Sequence, residues 1–496
     1  MHTHDVFTTL WYITEIWWAL CAIGLALLIH QWIRVEQREL SSLPGTTISK
    51  WTSIPVLMHL VKGTQPKYVH SLFVKYGPVV RLGPNQVAFS DVAALEQIYS
   101  TQESFVKSSL YGMVAESPVP NVLSTAENGV HRQQRELMMP GLSQNAVDCM
   151  YTTLSSRVAL AIQRMGEETN QNGFTDIYKW WTLMMADIMG EVTFGQSLGL
   201  LEEGKKDDFM EALTDSSMLS ILRMTLPFVI PLAEYVSLGP ANKAVKAQNK
   251  ACEHAKVKLA RHREDIMSGS RTAQVSIFGE LFSAEEQGLL TQEEVVSNAI
   301  TVLANGADPT ANTLTYLVWA VCRRPAVRVQ LLEEIDSLPH EFEHGHLKQL
   351  SYLNQVIEET LRLYPAVGGG LLRTVPSQGA TIVGHRIPPG TIVSCQAYSL
   401  HRDPNIFANP DVFHPDRWDA PTTAMKTAMM AWGGGERACI GLDLARMTLR
   451  LSTAYFFKAF QHASMSTQHG MSDLDMEPVM MKFTEPKGQR CLFECR

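Results

Sequence analysis

The side chains with the most distinctive chemistry lie in residues 432–441, whose sequence is W-G-G-G-E-R-A-C-I-G. Because glycine lacks a side chain, this segment can turn sharply and bring its backbone close to a flat, bulky group. Cys439 supplies a thiol, and a deprotonated cysteine that ligates haem iron donates electron density that favours O–O cleavage. Arg437, two residues earlier, can bind a carboxylate. This combination indicates a cofactor loop with a cysteine ligand.

The segment resembles the haem-binding loop of the cytochrome P-450 family, which has the pattern F-x-x-G-x-R-x-C-x-G. Trp432 stands where that family usually has phenylalanine, so an aromatic side chain is kept. The resemblance implies that Cys439 is the axial ligand of the iron in haem b (iron protoporphyrin IX). It also implies that Gly433, Gly435 and Gly441 shape the loop around this ligand. A structural turn with a buried thiol is the alternative that the loop alone leaves open.

Cationic residues elsewhere match those that bind the two haem propionates in the family. His131 and Arg135 are four residues apart, so they can share one face of a helix. The resemblance implies that this pair, together with Arg373 and Arg437, holds the propionates. For each residue the alternative is an ordinary solvated charge on the surface.

A second motif is the segment I-E-E-T-L-R-L-Y-P, in which Glu359 and Arg362 can form a charge pair on one helical face. An isolated surface pair of this kind contributes ~0.5 kcal/mol or less, so the pair alone indicates little. It precedes the cysteine loop by about eighty residues, and F-H-P-D-R-W follows it at 413–418. In the resembled family such segments form a buried network that supports the haem loop. Carried over, the network is Glu359, Arg362 and Arg417.

The oxygen side of the cofactor is expected under residues 303–314, L-A-N-G-A-D-P-T-A-N-T-L. The family pattern there is A/G-G-x-D/E-T-T/S, so Gly306 matches the small residue that leaves room for oxygen and Asp308 matches the acid. Pro309 stands where the alcohol is expected. Proline lacks an N–H and clashes with the preceding turn, so we expect the helix to kink or open and to free the Asn305 carbonyl. Thr310 lies about 100° further around an ideal helix.

This departure from the pattern leaves two outcomes open. In the first, Thr310 or an ordered water assists oxygen activation while Asp308 relays protons, which gives ordinary monooxygenation. In the second, proton delivery is impaired and the protein is an isomerase or dehydratase on the same scaffold. A haem-binding protein without turnover is a further alternative. The segments that line the pocket by resemblance are mostly apolar, which predicts a lipophilic small-molecule substrate.

A competing motif is H-E-F-E-H, which matches the H-E-x-x-H signature of zinc proteases at His340, Glu341 and His344. Pro339 and Gly345 bracket the five residues and leave barely one helical turn. A rigid zinc site requires a longer supporting helix with partners that orient its ligands. The zinc protease is therefore a remote alternative.

Composition limits the class of protein. The chain has 496 residues, of which 45% are hydrophobic and 19% charged, with a formal net charge of −8. This balance gives no reason to expect a nucleic-acid partner. The eight cysteines lack the dense, regular spacing of a secreted disulfide scaffold, which favours a reducing compartment.

The N-terminal segment differs from the rest of the chain. Residues 16–29 contain no charged side chain, and residues 10–33 would form a helix of about 36 Å, longer than a ~30 Å hydrocarbon core. The segment lacks the basic start of a cleaved signal peptide. Arg34 and Arg38 follow it, which places the remainder in the cytosol by the positive-inside tendency. The alternative is a buried core helix. We expect a membrane anchor at 1–34, a linker at 35–50 and a catalytic domain at 51–496.

The periodicity of the remaining chain predicts one mixed, mainly helical domain. Apolar residues recur at helical spacing in 180–192, 293–321 and 326–335. The short β-rich runs 79–82 and 86–89 predict a small hairpin, and 383–393 has the pattern of extended segments. The resemblance implies the cytochrome P-450 fold, a helix-rich body with a small β region at one side. No G-x-G-x-x-G fingerprint follows a strand, so electrons are expected from NADPH through a separate cytochrome P-450 reductase. Similarity to members from filamentous fungi implies a secondary-metabolite substrate and a place in the endoplasmic reticulum membrane.

Overall fold

The computed structural model describes residues 39–99, 105–117, 119–225, 239–268 and 277–495. The expected anchor at 1–34 and the first part of the expected linker lie outside these residues. None of the helices within the described ranges combines the length and the apolar character that crossing a bilayer requires.

Helices make up most of the described chain, as the sequence predicts. They are α1 (Ile54–Val61), α2 (Gln65–Tyr76), α3 (Val92–Ile98), α4 (Tyr111–Val114), α5 (Asn128–Leu142), α6 (Gln144–Cys149), α7 (Tyr151–Asn172), α8 (Ile177–Phe194), α9 (Leu200–Glu203), α10 (Asp208–Thr225), α11 (Gly239–Met267), α12 (Gly279–Glu286), α13 (Gln292–Cys322), α14 (Pro325–Asp336), α15 (His344–Gln349), α16 (Ser351–Leu363), α17 (Ala397–Leu400), α18 (Thr423–Ala428) and α19 (Leu442–Ala459).

The strands form small sheets, and the largest has the order β1-β2-β8-β5-β3. β1 and β2 form the hairpin that the sequence predicts, with Val79 opposite Phe89, while β2 and β8 run parallel. The strands are β1 (Val79–Gly83), β2 (Gln86–Phe89), β3 (Val106–Lys107), β4 (Thr175–Asp176), β5 (Arg373–Thr374), β6 (Ala380–Ile382), β7 (His385–Ile387), β8 (Ile392–Cys395), β9 (Ser464–Met465), β10 (Pro478–Met480), β11 (Thr484–Pro486) and β12 (Leu492–Glu494).

Helix α13 is the central element of the body. It begins with a capping box, in which the Thr291 hydroxyl accepts from the Glu294 backbone N–H and the Glu294 side chain accepts from Thr291. Most of its residues from Val295 to Thr301 and from Thr310 to Val321 are buried, and their apolar side chains belong to the main hydrophobic core together with α8, α16 and α19. Pro309 lies inside α13 without dividing it into two helices. The expected opening of the helix at Pro309 is therefore not observed.

Helix α8 packs closely against α13. α8 begins after Asp176, whose carboxylate accepts the Tyr178 N–H, and ends at Gly195, which has a φ of +68°. A Cβ atom on Gly306 would lie 2.5 Å from Cε of Met189 on α8. The absent side chain of Gly306 makes room for Met189, and the role of Gly306 in leaving room for oxygen stays a prediction.

Candidate haem site

The cysteine loop is a closed turn that leads directly into α19. Gly433 and Gly435 have φ values of +73° and +60°, in the left-handed region that residues with a Cβ rarely adopt. The backbone N–H of Cys439 donates to the Trp432 carbonyl at 2.8 Å and closes the turn. Gly441 lies immediately before the first residue of α19. These contacts fix Cys439 in place.

Cys439 is solvent-accessible although protein surrounds its thiol, and burial raises the pKa of this thiol. The backbone N–H of Gly441 and the positive charge of Arg135 act in the opposite direction, because both stabilise a thiolate. A thiol that is accessible within a surrounded space fits the axial ligand of a large internal cofactor.

Two of the predicted cations join α5 to the cysteine loop. Arg135 donates to the carbonyl of Ala438 at 2.9 Å. Arg437 donates to the carbonyl of Thr125 at 2.9 Å and to Oδ1 of Asn128 at 3.0 Å. These hydrogen bonds join the start of α5 to the loop, and the charge of Arg135 acts on the thiol of Cys439.

Arg373 has a cationic neighbour that the sequence did not reveal. It lies on β5 directly opposite Lys107 on β3, and both side chains are buried. Like charges at facing positions of an antiparallel pair destabilise a sheet unless another group compensates them. Burial and the charges of Arg373 and Arg437 hold the pKa of Lys107 well below its ordinary value. An anion such as a propionate beside the pair would compensate these charges and favour the charged form of Lys107.

His131 lies at the centre of these cations. Its ring is 4% exposed, and its pKa falls to about 3 because of burial and of the charges on Arg437, Arg135, Lys107 and Arg373. His131 is therefore a neutral hydrogen-bonding ring at neutral pH. A thiol in a closed loop, with four cations converging on one histidine, fits a haem: sulfur for the iron and positive charge for two propionates.

The structure brings together the three residues of the expected supporting network. Glu359 and Arg362 are fully buried and form two hydrogen bonds of 2.8 Å, and Nε of Arg417 donates to Glu359 at 3.1 Å. The indole of Trp418 and the backbone N–H of His414 also donate to Glu359, at 2.9 and 2.8 Å. Each carboxylate oxygen thus has more than one donor, as a buried charge requires.

His401 links this network to the cysteine loop. Its Nδ1 lies 2.9 Å from the Arg362 carbonyl, and its Nε2 lies 3.1 Å from the Met430 backbone N–H. Because a carbonyl only accepts and an N–H only donates, the proton must be on Nδ1. Burial is the main cause that lowers the pKa of His401 to about 3, so the ring stays neutral. No motif of the sequence had indicated this role.

On α13, Asp308 is solvent-accessible in the middle of a helix that belongs to the core. Burial raises its pKa, and the charges of Lys482 and Lys206 oppose this effect. Thr310 is buried, and its hydroxyl has no hydrogen-bond partner among the residues that the structure describes. The helix therefore presents a carboxyl group to interior space.

The H-E-x-x-H motif has a structural role. His344 is the first residue of α15, so His340 and Glu341 precede the helix and do not share its face. The His344 ring is buried, with Nδ1 2.9 Å from Asp148 and Nε2 3.4 Å from Arg450. Within the described ranges no group of three or more potential ligands is placed to hold a metal ion. This geometry contradicts the zinc-protease alternative.

Taken together, the loop, the cations and the buried network define the protein as a haem-thiolate enzyme. The family model for cytochrome P450 matches residues 48–492. The chain is 38% identical to cytochrome P450 monooxygenase tazI of Aspergillus terreus, over 96% of this chain and 98% of that protein. It is 36% identical to cytochrome P450 monooxygenase orf2 of Aspergillus niger, over 96% of both chains. It is 31% identical to cytochrome P450 monooxygenase aflV of Aspergillus parasiticus, again over 96% of both. The chain belongs to the cytochrome P450 family and is an oxidoreductase of the monooxygenase type.

Proposed function

We propose that this enzyme inserts one oxygen atom from O₂ into a lipophilic intermediate of secondary-metabolite biosynthesis, with electrons from NADPH delivered by a separate reductase. The observation that carries the proposal is the accessible thiol of Cys439 inside a surrounded space beside clustered cations. Haem b, when bound through this thiol, supplies the oxygen-activating chemistry. The relatives from Aspergillus species support the part of the proposal that concerns secondary metabolism.

Different residues of the chain have different roles in such a reaction. Arg135, Arg373, Arg437 and Lys107 would hold the haem propionates, with His131 as a neutral partner. The Gly441 N–H stabilises the thiolate form of Cys439. The buried network behind the loop holds it in position. Asp308, with its raised pKa and its access to interior space, holds and passes a proton at its carboxyl group.

The same proposal places residues 1–34 as an anchor in the endoplasmic reticulum membrane, with the catalytic domain facing the cytosol. Supporting this, large apolar side chains are exposed where the described chain begins. Trp51, Ile54, Met58 and Val61 are 41%, 56%, 53% and 48% exposed. Apolar side chains on one side of α1 suit contact with a lipid surface. Membrane fractionation of the full chain and of a chain without residues 1–34 tests this placement.

The test of the reaction is the dependence of product formation on both O₂ and NADPH. Extracts from cells with the wild-type enzyme are compared with extracts from cells with Cys439→Ala, and the metabolite that accumulates in the variant is then given to purified enzyme and reductase. We expect a product heavier by one oxygen atom, with NADPH consumption coupled to its formation. Peroxide release without product, in the presence of that metabolite, would contradict the proposal.

A second candidate, an isomerase or dehydratase, is favoured by one observation. Pro309 places no hydroxyl at the position where the family pattern has one, and α13 continues through it as a single helix. Such an enzyme rearranges or dehydrates its substrate without consuming O₂ or NADPH. Turnover under argon and without reductase separates this candidate from the monooxygenase.

A further inference from the structure

The middle of α13 contains a polar residue that the family motif does not explain. Residues 304–306, 308 and 309 are partly or fully solvent-accessible, while the turns before and after them are buried. The helix therefore borders interior space at this point. Asn305 lies one turn before Asp308, so the two side chains share a face of the helix.

The orientation of the Asn305 amide is fixed by its partners. Its Nδ2 donates to the Thr301 carbonyl at 2.8 Å and to Oε1 of Glu116 at 3.3 Å. A carbonyl and a carboxylate can only accept, so the NH₂ group must face them and the alternative flip of the amide is excluded. Oδ1 points away from these partners, and no residue that the structure describes donates to it. Asn305 thus presents a fixed acceptor oxygen.

Glu116, which holds the amide, is itself held from several sides. It is 3% exposed and forms an ion pair with Lys482, on the turn between β10 and β11. Its backbone carbonyl accepts from Gln248, and Arg223 donates to the preceding carbonyl of Ala115 at 3.1 Å. The second carboxylate oxygen of Glu116 is buried and has no hydrogen-bond partner within the described part of the chain. The ion pair with Lys482 compensates the charge of this buried carboxylate, and Oε1, the oxygen in that pair, also accepts from the Asn305 amide, so Glu116 is placed to orient that amide.

Pro309 leaves a second oxygen of Asn305, its backbone carbonyl, without the usual helical donor. The helical donor to the Asn305 carbonyl would be the N–H of residue 309, and proline has none. The side-chain oxygen and the backbone carbonyl of Asn305 are thus both acceptors that the ordinary helix pattern does not satisfy. A ligand with a hydrogen-bond donor suits this site.

We propose that Asn305 determines substrate specificity: its Oδ1 accepts a hydrogen bond from a hydroxyl or N–H group of an otherwise lipophilic substrate. Glu116 is a positioning residue that acts through the amide. The inference rests on the proposed function, because the ligand is the substrate of that same site. A site that hydrogen-bonds a substrate hydroxyl rejects the analogue that lacks it far more strongly than an apolar wall does. The substrate is therefore a lipophilic alcohol, phenol or amine rather than a hydrocarbon.

The test uses 4-phenylimidazole and its three hydroxyphenyl isomers as probes of the ferric holoenzyme, titrated by absorption spectroscopy. The imidazole is common to all four, so only the hydroxyl differs. We expect one isomer to bind wild-type protein about 10-fold more tightly than the parent, equivalent to about 1.4 kcal/mol. This preference disappears in Asn305→Ala and in the similarly shaped Asn305→Leu, and falls in Glu116→Gln. The matched control Asn172→Ala, at the exposed end of α7, keeps it.

Each protein is first checked in the reduced, carbon monoxide-bound form. A wild-type protein with no band at about 450 nm overturns the proposed function. With that band present, equal affinity of wild type for all four probes overturns the inference about Asn305 alone. A hydroxyl preference that persists in both Asn305 variants overturns it as well, because the donor would then bind elsewhere.

Discussion

The carboxylate of Glu359 offers a sharp test of the network behind the cofactor loop. Glu359 and Arg362 are fully buried, and Arg417, Trp418 and the His414 backbone also donate to Glu359. Glu359→Gln keeps the shape but removes the charge, so two guanidinium groups lose their counter-charge. Removing one partner of a buried ion pair costs about 3–5 kcal/mol. That is a large part of the about 5–15 kcal/mol that stabilises a typical native protein.

Glu358, the residue before Glu359 on α16, provides a matched control with the same substitution to glutamine. Glu358 pairs with Arg446 at 2.6 Å, but these side chains are 27% and 34% exposed, so Glu358→Gln is expected to cost about 1 kcal/mol or less. Urea unfolding of the holoprotein, followed by haem absorbance and tryptophan fluorescence, measures both variants. We expect Glu359→Gln to release haem and unfold at clearly lower urea. Equal effects of the two substitutions would refute the reasoning.

Three further predictions concern single groups. Lys107→Gln removes one of the cations proposed to hold a propionate, so we expect haem to transfer to a scavenging protein about 10-fold faster, consistent with a charged hydrogen bond of about 1.5–3 kcal/mol; an unchanged rate would contradict this role. The folded protein keeps His401 neutral down to about pH 3, whereas an unfolded histidine takes up a proton near 6.5. His401 alone should therefore lower the free energy of unfolding by about 1.4 kcal/mol for each pH unit between 6.5 and about 3, and His401→Asn should show a shallower decrease in urea titrations at about pH 7, 6 and 5. Asp308→Asn cannot pass a proton, so product formed per NADPH should fall, by up to about 10²-fold, while peroxide release rises; coupling equal to wild type would exclude Asp308 as the proton donor.

The parts of the site that local motifs encode could be predicted from the sequence. Glu359 and Arg362 are three residues apart, so helix geometry alone brings them together. The glycines around Cys439 likewise predict a tight loop. The structure shows left-handed φ angles at Gly433 and Gly435, which favour glycine. The helix-rich body and the β1–β2 hairpin also follow from the periodicity of the chain.

Other features depend on contacts between distant segments. Lys107 meets Arg373 only because β3 pairs with β5. Met189 lies beside Gly306 because α8 packs against α13, a contact that the motif does not encode. The sequence predicted a role for the backbone carbonyl of Asn305 but none for its side chain. Glu116, which orients the side-chain amide, lies in a segment without a recognisable pattern. Non-local pairing of this kind leaves no signal in a single sequence.

The proposed oxygen chemistry requires that the sulfur of Cys439 ligate the haem iron. The most direct measurement is the absorption spectrum of the reduced holoprotein exposed to carbon monoxide, for wild type and for a haem-loaded Cys439→His variant. We expect a band at about 450 nm in the wild type, and we expect the variant to lack it. A haem-loaded wild-type protein without this band, or a variant that keeps it, would contradict the central claim.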